Sequence, residues 1–386
     1  MSSFRDLPGP CWWLSSASFV NRMGAMVFPY LVLYFHRSLH FPLEMATTIA
    51  ACWGLGSFLA GPLGGWAADR FDCVRVLAGS LFLAGVLMLA FPIIERPGAL
   101  MLATALLALL ADTARPSTLT AIARLGGERS RDAFALNYLA INLGMSIGPT
   151  LGGFLAEKNY SWLFYVDGLT SLAAGVLLWA SGVRCKPQPM RLPIWDWAIG
   201  SRAWRLLFFL SLIFWIFSAF FSAVPVYMVE QLHRKERECG LLWLLNTLLI
   251  VALSMQVNRW TSGHSLSRLL GLSGAGLVVT YGLLWALPHL GGLVGALLIL
   301  TLAEMLLFPA ANAYLSAVVA PEKLGRAMGC NAMAVSLSFA LSNPTVGYFL
   351  GREDAAGLWV FLAGVGLIGT LGFLGLPSPG KDNQTH

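Results

Sequence analysis

Four ionisable side chains lie deep inside long apolar runs of this sequence: Arg22, Asp112, Arg115 and Glu304. A charge set against lipid costs at least about 2.5 kcal/mol, so each must face water, a partner or a transported species. Arg22 is about ten residues into its run, roughly 15 Å at a helical rise of about 1.5 Å per residue. Asp112 and Arg115 are three apart and share a helix face, where they either neutralise each other or work as a pair. Glu304 has no basic residue within four positions. A carboxylate with no counter-charge in such a setting is the first candidate to take up and release a proton, and Asp112 is the alternate.

The elements that hold these charges follow from composition. Of 386 residues, 57% are hydrophobic and only 11% charged, against about 25% charged in a soluble domain. Lipid is the natural solvent for such a chain, and there only helices or closed barrels satisfy the backbone. The apolar runs are helix-length, whereas barrel strands need roughly ten alternating residues. Helices are expected near 12–36, 43–68, 74–94, 98–123, 133–156, 162–183, 203–231, 240–261, 266–287, 291–320, 326–350 and 356–376.

The spans repeat. Pro29 and Pro225 are 196 residues apart, Pro116 and Pro309 are 193 apart, and Pro149 and Pro344 are 195 apart. The flanks agree: GPTLGGFL at 148–155 is echoed by NPTVGYFL at 343–350. Together these predict an all-α membrane protein of two pseudo-symmetric six-helix bundles. They are an N-terminal bundle over 1–183, a linker over 184–202 marked by Pro187 and Pro189, a C-terminal bundle over 203–377 and a tail over 378–386. Half-chain repeats of this kind place a transport site between bundles.

The net charge of +6 is spread over short loops, which excludes a nucleic-acid surface. With the N-terminus inside, 16 of the 25 Lys and Arg residues fall on the cytoplasmic side and 7 on the other. That bias predicts cytoplasmic termini. Six scattered cysteines without CxxC spacing are read as small apolar fillers rather than disulfides or metal ligands. His36 and His40 straddle a helix end and are read as surface residues. No cleavable signal pattern opens the chain.

Two motifs carry a family resemblance. The stretch GWAADRFDCVR at 65–75 is similar to the signature loop of the major facilitator superfamily, with Gly65, Asp69, Arg70 and Arg75 matching. Asp72 stands where that family usually has Gly, and Val74 replaces one basic position. The stretch GMSIGPTLGG at 144–153 matches in full the Gly-x-x-x-Gly-Pro-x-x-Gly-Gly element of the antiporter branch. Its Gly144, Gly148 and Gly152 recur every four residues, a smooth stripe that lets a second helix approach, and Gly153 completes the element. Pro149 removes a backbone donor and bends the helix. Shorter runs, NRMG at 21–24, RP at 115–116 and TLAEMLLFP at 301–309, resemble bacterial drug:proton antiporters.

The resemblance implies an inner gate at loop 65–75, where Asp69 caps a helix N-terminus and Arg70 pairs with a carboxylate. It also implies that the first, fourth, seventh and tenth spans line a central cavity. Arg22 and Arg115 then set the cavity potential, with Tyr30, Tyr227 and Asn312 as further lining candidates or interhelical hydrogen-bond formers. Tyr138 and Asn142 are read the same way, and Asp167, on the sixth span, is read as packing.

The expected function is secondary transport by alternating access, as proton-coupled efflux of a small amphipathic or lipophilic compound, with multidrug resistance as the setting. Proton-coupled uptake is the alternative, and a non-transporting receptor or sensor comes after it. No nucleotide loop and no hydrolase array is present, so neither an ATP-driven pump nor an enzyme is expected. The expected partners are protons, membrane lipids and a small-molecule substrate, with no cofactor and no metal. A monomer in a bacterial inner membrane is expected. The charge bias is checked with an impermeant thiol reagent on a variant whose one cysteine lies in the 184–202 segment. Intact cells should leave it unlabelled and opened cells should label it; labelling from outside reverses the orientation.

Overall fold

The computed structural model describes residues 7–185, 199–261, 263–320 and 323–377. Most of the expected linker and the whole expected tail lie outside them. Among the described residues the chain is helical throughout: α1 (Gly9–Met23), α2 (Val27–Leu33), α3 (Leu43–Arg70), α4 (Cys73–Ala90), α5 (Pro97–Gly126), α6 (Ser130–Lys158), α7 (Ser161–Ala180), α8 (Ser201–Val226), α9 (Glu236–Thr261), α10 (Leu266–Ala286), α11 (Leu290–Val318), α12 (Leu324–Leu350) and α13 (Ala355–Leu374). Ten of these are long and apolar enough to cross a membrane. Each expected span meets a helix, but the first is split into α1 and α2.

Local chemistry explains the helix starts. Asp72 accepts hydrogen bonds from the Val74 and Arg75 amides at 3.0 and 3.4 Å and so caps α4. Asp354 caps α13 through the Gly357 amide at 2.8 Å. Pro97 opens α5, where its missing N–H is no loss. The repeat also reaches helix ends: α2 runs into a π-helical turn at Tyr34–Ser38, and α8 into one at Tyr227–Gln231.

The helices form two compact units. The first holds α1, α2 and α4–α7, most of α3, and the first residues of α9 (Lys235–Leu244). The second holds the rest of α9, α8, α10–α13 and the opening of α3 (Pro42–Ala51). In the first unit Leu14, Ala17, Val74, Leu77, Ile122 and Leu178 share one core. In the second, buried Tyr281 donates to the Ile216 carbonyl and stacks on Trp359. Large apolar side chains such as Leu102, Val251 and Leu371 are exposed on outer faces, as lipid-facing positions are.

The split in the first span sits at residues 24–26. The Ala25 amide reaches the Arg22 carbonyl at 3.2 Å, and the Met26 amide turns back to the Gly24 carbonyl at 2.7 Å. The glycine stripe of α6 packs against this break. A Cβ on Gly144 would lie 2.7 Å from Arg22 Cβ, and one on Gly148 would lie 2.9 to 3.2 Å from the Arg22, Ala25 and Met23 carbonyl oxygens. One on Gly152 would meet Met26, and one on Gly153 would meet the Tyr30 hydroxyl. The stripe therefore serves close approach of backbone to backbone. Overpacking a tight site costs about 1–3 kcal/mol. Gly148→Leu should insert in the membrane yet lose transport, with Gly148→Ala intermediate, as read by substrate flux in vesicles at matched expression. Normal flux in Gly148→Leu would show that α6 and the break separate freely.

Candidate functional site

Each unit holds a polar cluster around a carboxylate that the sequence singles out. In the first, Asp112 of α5 accepts a hydrogen bond from the Ser57 hydroxyl of α3. Arg115, one turn on, projects to an exposed position, and among the described residues no ion pair joins it to Asp112. Of the two readings of that pair, direct neutralisation is thus not what the structure holds. Arg22, half-buried in α1, lies within electrostatic reach of Asp112, Arg115 and Asp167. Its neighbour Asn21 donates to Ser171 of α7 at 3.0 Å.

In the second unit Glu304 of α11 is half-buried. The Asn246 amide of α9 donates to Glu304 Oε2 at 3.4 Å and to Thr301 Oγ1 at 2.9 Å. Thr301 and Glu304 are three apart, hence on one face of α11, and Asn246 bridges both. Among the described residues no Lys or Arg stands within ion-pair distance of Glu304.

The other lining candidates fall into different environments. Tyr30 is fully buried, and its hydroxyl donates to the Pro149 carbonyl at 3.1 Å, tying α2 to α6. Tyr227 is buried, edge-on to Trp359 at 5.3 Å. Asn312 is exposed, its carbonyl taken by the Ser316 hydroxyl. Tyr138 is exposed, and Asn142 donates to the Tyr138 carbonyl at 2.8 Å.

In the loop that resembles the family signature, Arg70 is exposed and lies over the Trp66 ring at 5.7 Å. Gly65 has open space where a Cβ would be, and Arg75 lies in the first turn of α4. The side chain of Asp69 is not among those described. The cap of α4 is Asp72, the residue that departs from the family pattern. Asp72 also accepts from the Cys185 amide at 3.1 Å, fastening the chain after α7 to the loop. Nearby, the Arg124 guanidinium donates to the Ala68 carbonyl at 3.4 Å.

Charged groups also gather at helix ends of the first unit. Glu157 meets Lys235 at 3.4 Å and Arg237 at 3.7 Å, and the Tyr160 hydroxyl donates to Glu236 at 2.7 Å. Burial first, and then the Glu236 hydrogen bond, push the Tyr160 hydroxyl well above its ordinary range, so it stays a donor. In the second unit Arg352 pairs with Glu44 at 3.2 Å and lies over Tyr348. Such exposed pairs are worth little individually.

Sequence reasoning missed Asn246, Asp72 as a cap and the arrangement about Asp167. For Asn246 the one signal is a lone amide in an apolar run.

Long apolar helices in two repeated halves are the build of a secondary transporter. The sequence model of the Major Facilitator Superfamily matches residues 14–233 and 206–386. The chain belongs to that superfamily and is a multi-pass membrane transporter rather than an enzyme. It is 24% identical over 306 residues to the uncharacterized MFS-type transporter YttB of Bacillus subtilis (strain 168), covering 76% of each chain. A stretch of 131 residues is 26% identical to the quinolone resistance protein NorA of Staphylococcus aureus, covering 33% of this chain and 34% of that one. The crystal structure of peptide transporter POT in complex with sulfate has the same fold. The TM-score is 0.79 at 17% identity, with 96% of this chain and 95% of that chain covered.

Replacing an N-cap aspartate by alanine costs about 0.5–2 kcal/mol. Asp72→Ala should therefore lower the thermal midpoint of the purified protein, and Asp72→Asn, still an acceptor, should lower it less. Equal midpoints for all three would remove the capping role.

Proposed function

We propose that this transporter exports a small amphipathic or lipophilic compound in exchange for protons. The observation that carries the reading is Glu304: a carboxylate within a membrane span, held by a neutral amide and facing no cation among the described residues. A group so placed is free to gain and lose a proton without breaking an ion pair. The full antiporter element on α6 supports exchange over uptake, and the partial similarity to a quinolone resistance protein supports a drug-like compound.

The chemistry is simple. Protonation of Glu304 from outside removes its charge and favours substrate release. Deprotonation toward the cytoplasm restores the charge and lets new substrate bind. Asp112, held by a neutral serine, is the alternate carrier, and Arg22 sets the potential around it. The loop from Gly65 to Arg75 gates the inner side. Alternating access couples these steps. The chain works as a monomer in a bacterial inner membrane, with both termini cytoplasmic, as the positive-inside bias supports.

Glu304→Gln mimics the protonated state. In everted vesicles it should abolish export driven by an imposed pH gradient while preserving part of the substrate counterflow. Undiminished pH-driven export by Glu304→Gln moves the assignment to Asp112.

A further inference from the structure

The internal repeat exposes an asymmetry. In the N-terminal half the first span is broken at 24–26; its repeat partner α8 runs unbroken from Ser201 to Val226. Aligning Pro29 with Pro225 sets Arg22 opposite Ser218 and Gly24 opposite Phe220. Aligning Pro149 with Pro344 sets Gly148 opposite Asn343, which accepts from the Ser222 hydroxyl of α8 at 2.7 Å. The partner of α7 is α13, and its whole length, Ala355–Leu374, holds no ionisable residue. The break, its arginine, the glycines at 24 and 148 and a buried aspartate thus occur together in one half and are absent from the matching positions of the other.

That aspartate is Asp167. It is 5% exposed, and its Oδ2 accepts from the Val27 amide at 3.4 Å. Val27 is the first residue of α2, so its amide has no partner within the helix. Around it, α7 grips the break further. Asn21 donates to Ser171, and Gly24 packs so closely on Thr170 that no side chain fits. The charge facing Asp167 is Arg22, which also faces Asp112 and Arg115 of α5. The other helices against α7 add none: α4 from Val76 to Ala90 and α6 from Ala133 to Ala156 hold no Asp, Glu, Lys, Arg or His. One arginine therefore lies within electrostatic reach of two carboxylates, Asp112 of α5 and Asp167 of α7.

We propose that Asp167 is a positioning residue whose gain and loss of a proton set the shape of the break and, through Arg22, the charge presented to Asp112. Ionised, it holds the Val27 amide and draws Arg22 toward α7. Protonated, it offers the Val27 amide only a weaker, neutral acceptor and no longer draws Arg22, which turns to Asp112. The proton comes from water and returns to it, and only an O–H bond forms or breaks.

The test needs no substrate, so it stands or falls apart from the direction of transport. Purified protein in lipid discs is titrated between about pH 5 and about pH 9, spanning ordinary and strongly perturbed carboxyl groups. Infrared difference spectra should show a protonated-carboxyl band that is lost in Asp167→Asn and shifted in Asp167→Glu. Hydrogen exchange of a peptide covering 21–30, corrected for intrinsic rates, should be about fivefold faster at the acid end in the wild type and pH-independent in Asp167→Asn. Asparagine keeps an acceptor for the Val27 amide, so a purely structural cap predicts no change in either readout. Wild-type spectra and exchange in Asp167→Asn would overturn the proposal. If Asp167→Asn fails to fold, an Asp167→Glu spectrum without a shifted band overturns it.

Discussion

A backbone that leaves the helix inside a membrane must find partners within the protein, because lipid offers none. The break at 24–26 imposes that constraint on the whole first unit. Its carbonyl side is covered by α6, where only glycine fits at 144 and 148. Its amide side is met by Asp167 of α7. The hydroxyl of Tyr30 then ties the second half-helix to the Pro149 carbonyl. The antiporter element and the buried aspartate are two sides of one mould.

The same break organises charge. Arg22 sits two residues before it, where its backbone is packed against α6 and its guanidinium lies within electrostatic reach of Asp112 and Asp167. The second unit solves a different problem. Its helix α8 is continuous, Asn343 stands where the first unit has Gly148, and Glu304 is held by an amide.

The loop from Gly65 to Arg75 shows how a departure from a family pattern is absorbed. Asp72 replaces the usual glycine, loses the conformational freedom of that residue and gains an N-cap for α4. The same oxygen takes the Cys185 amide, so the loop is fastened to the chain leaving α7.

Much of this was legible in the sequence. Composition demanded lipid, run length demanded helices, and paired prolines revealed two halves; these are short-range or statistical properties that need no coordinates. The glycine stripe was legible as a close contact, though not what it contacts. Tertiary structure alone decided the partners. Asp112 looked three residues away to Arg115 and instead found Ser57, 55 positions distant. Asn21 found Ser171 across 150 positions and Val27 found Asp167 across 140. NRMG at 21–24 reads as ordinary helix, because residue propensities say nothing of a neighbour able to satisfy a freed amide. A break in lipid becomes stable only when α6 and α7 supply those partners, and that is a property of packing rather than of local sequence.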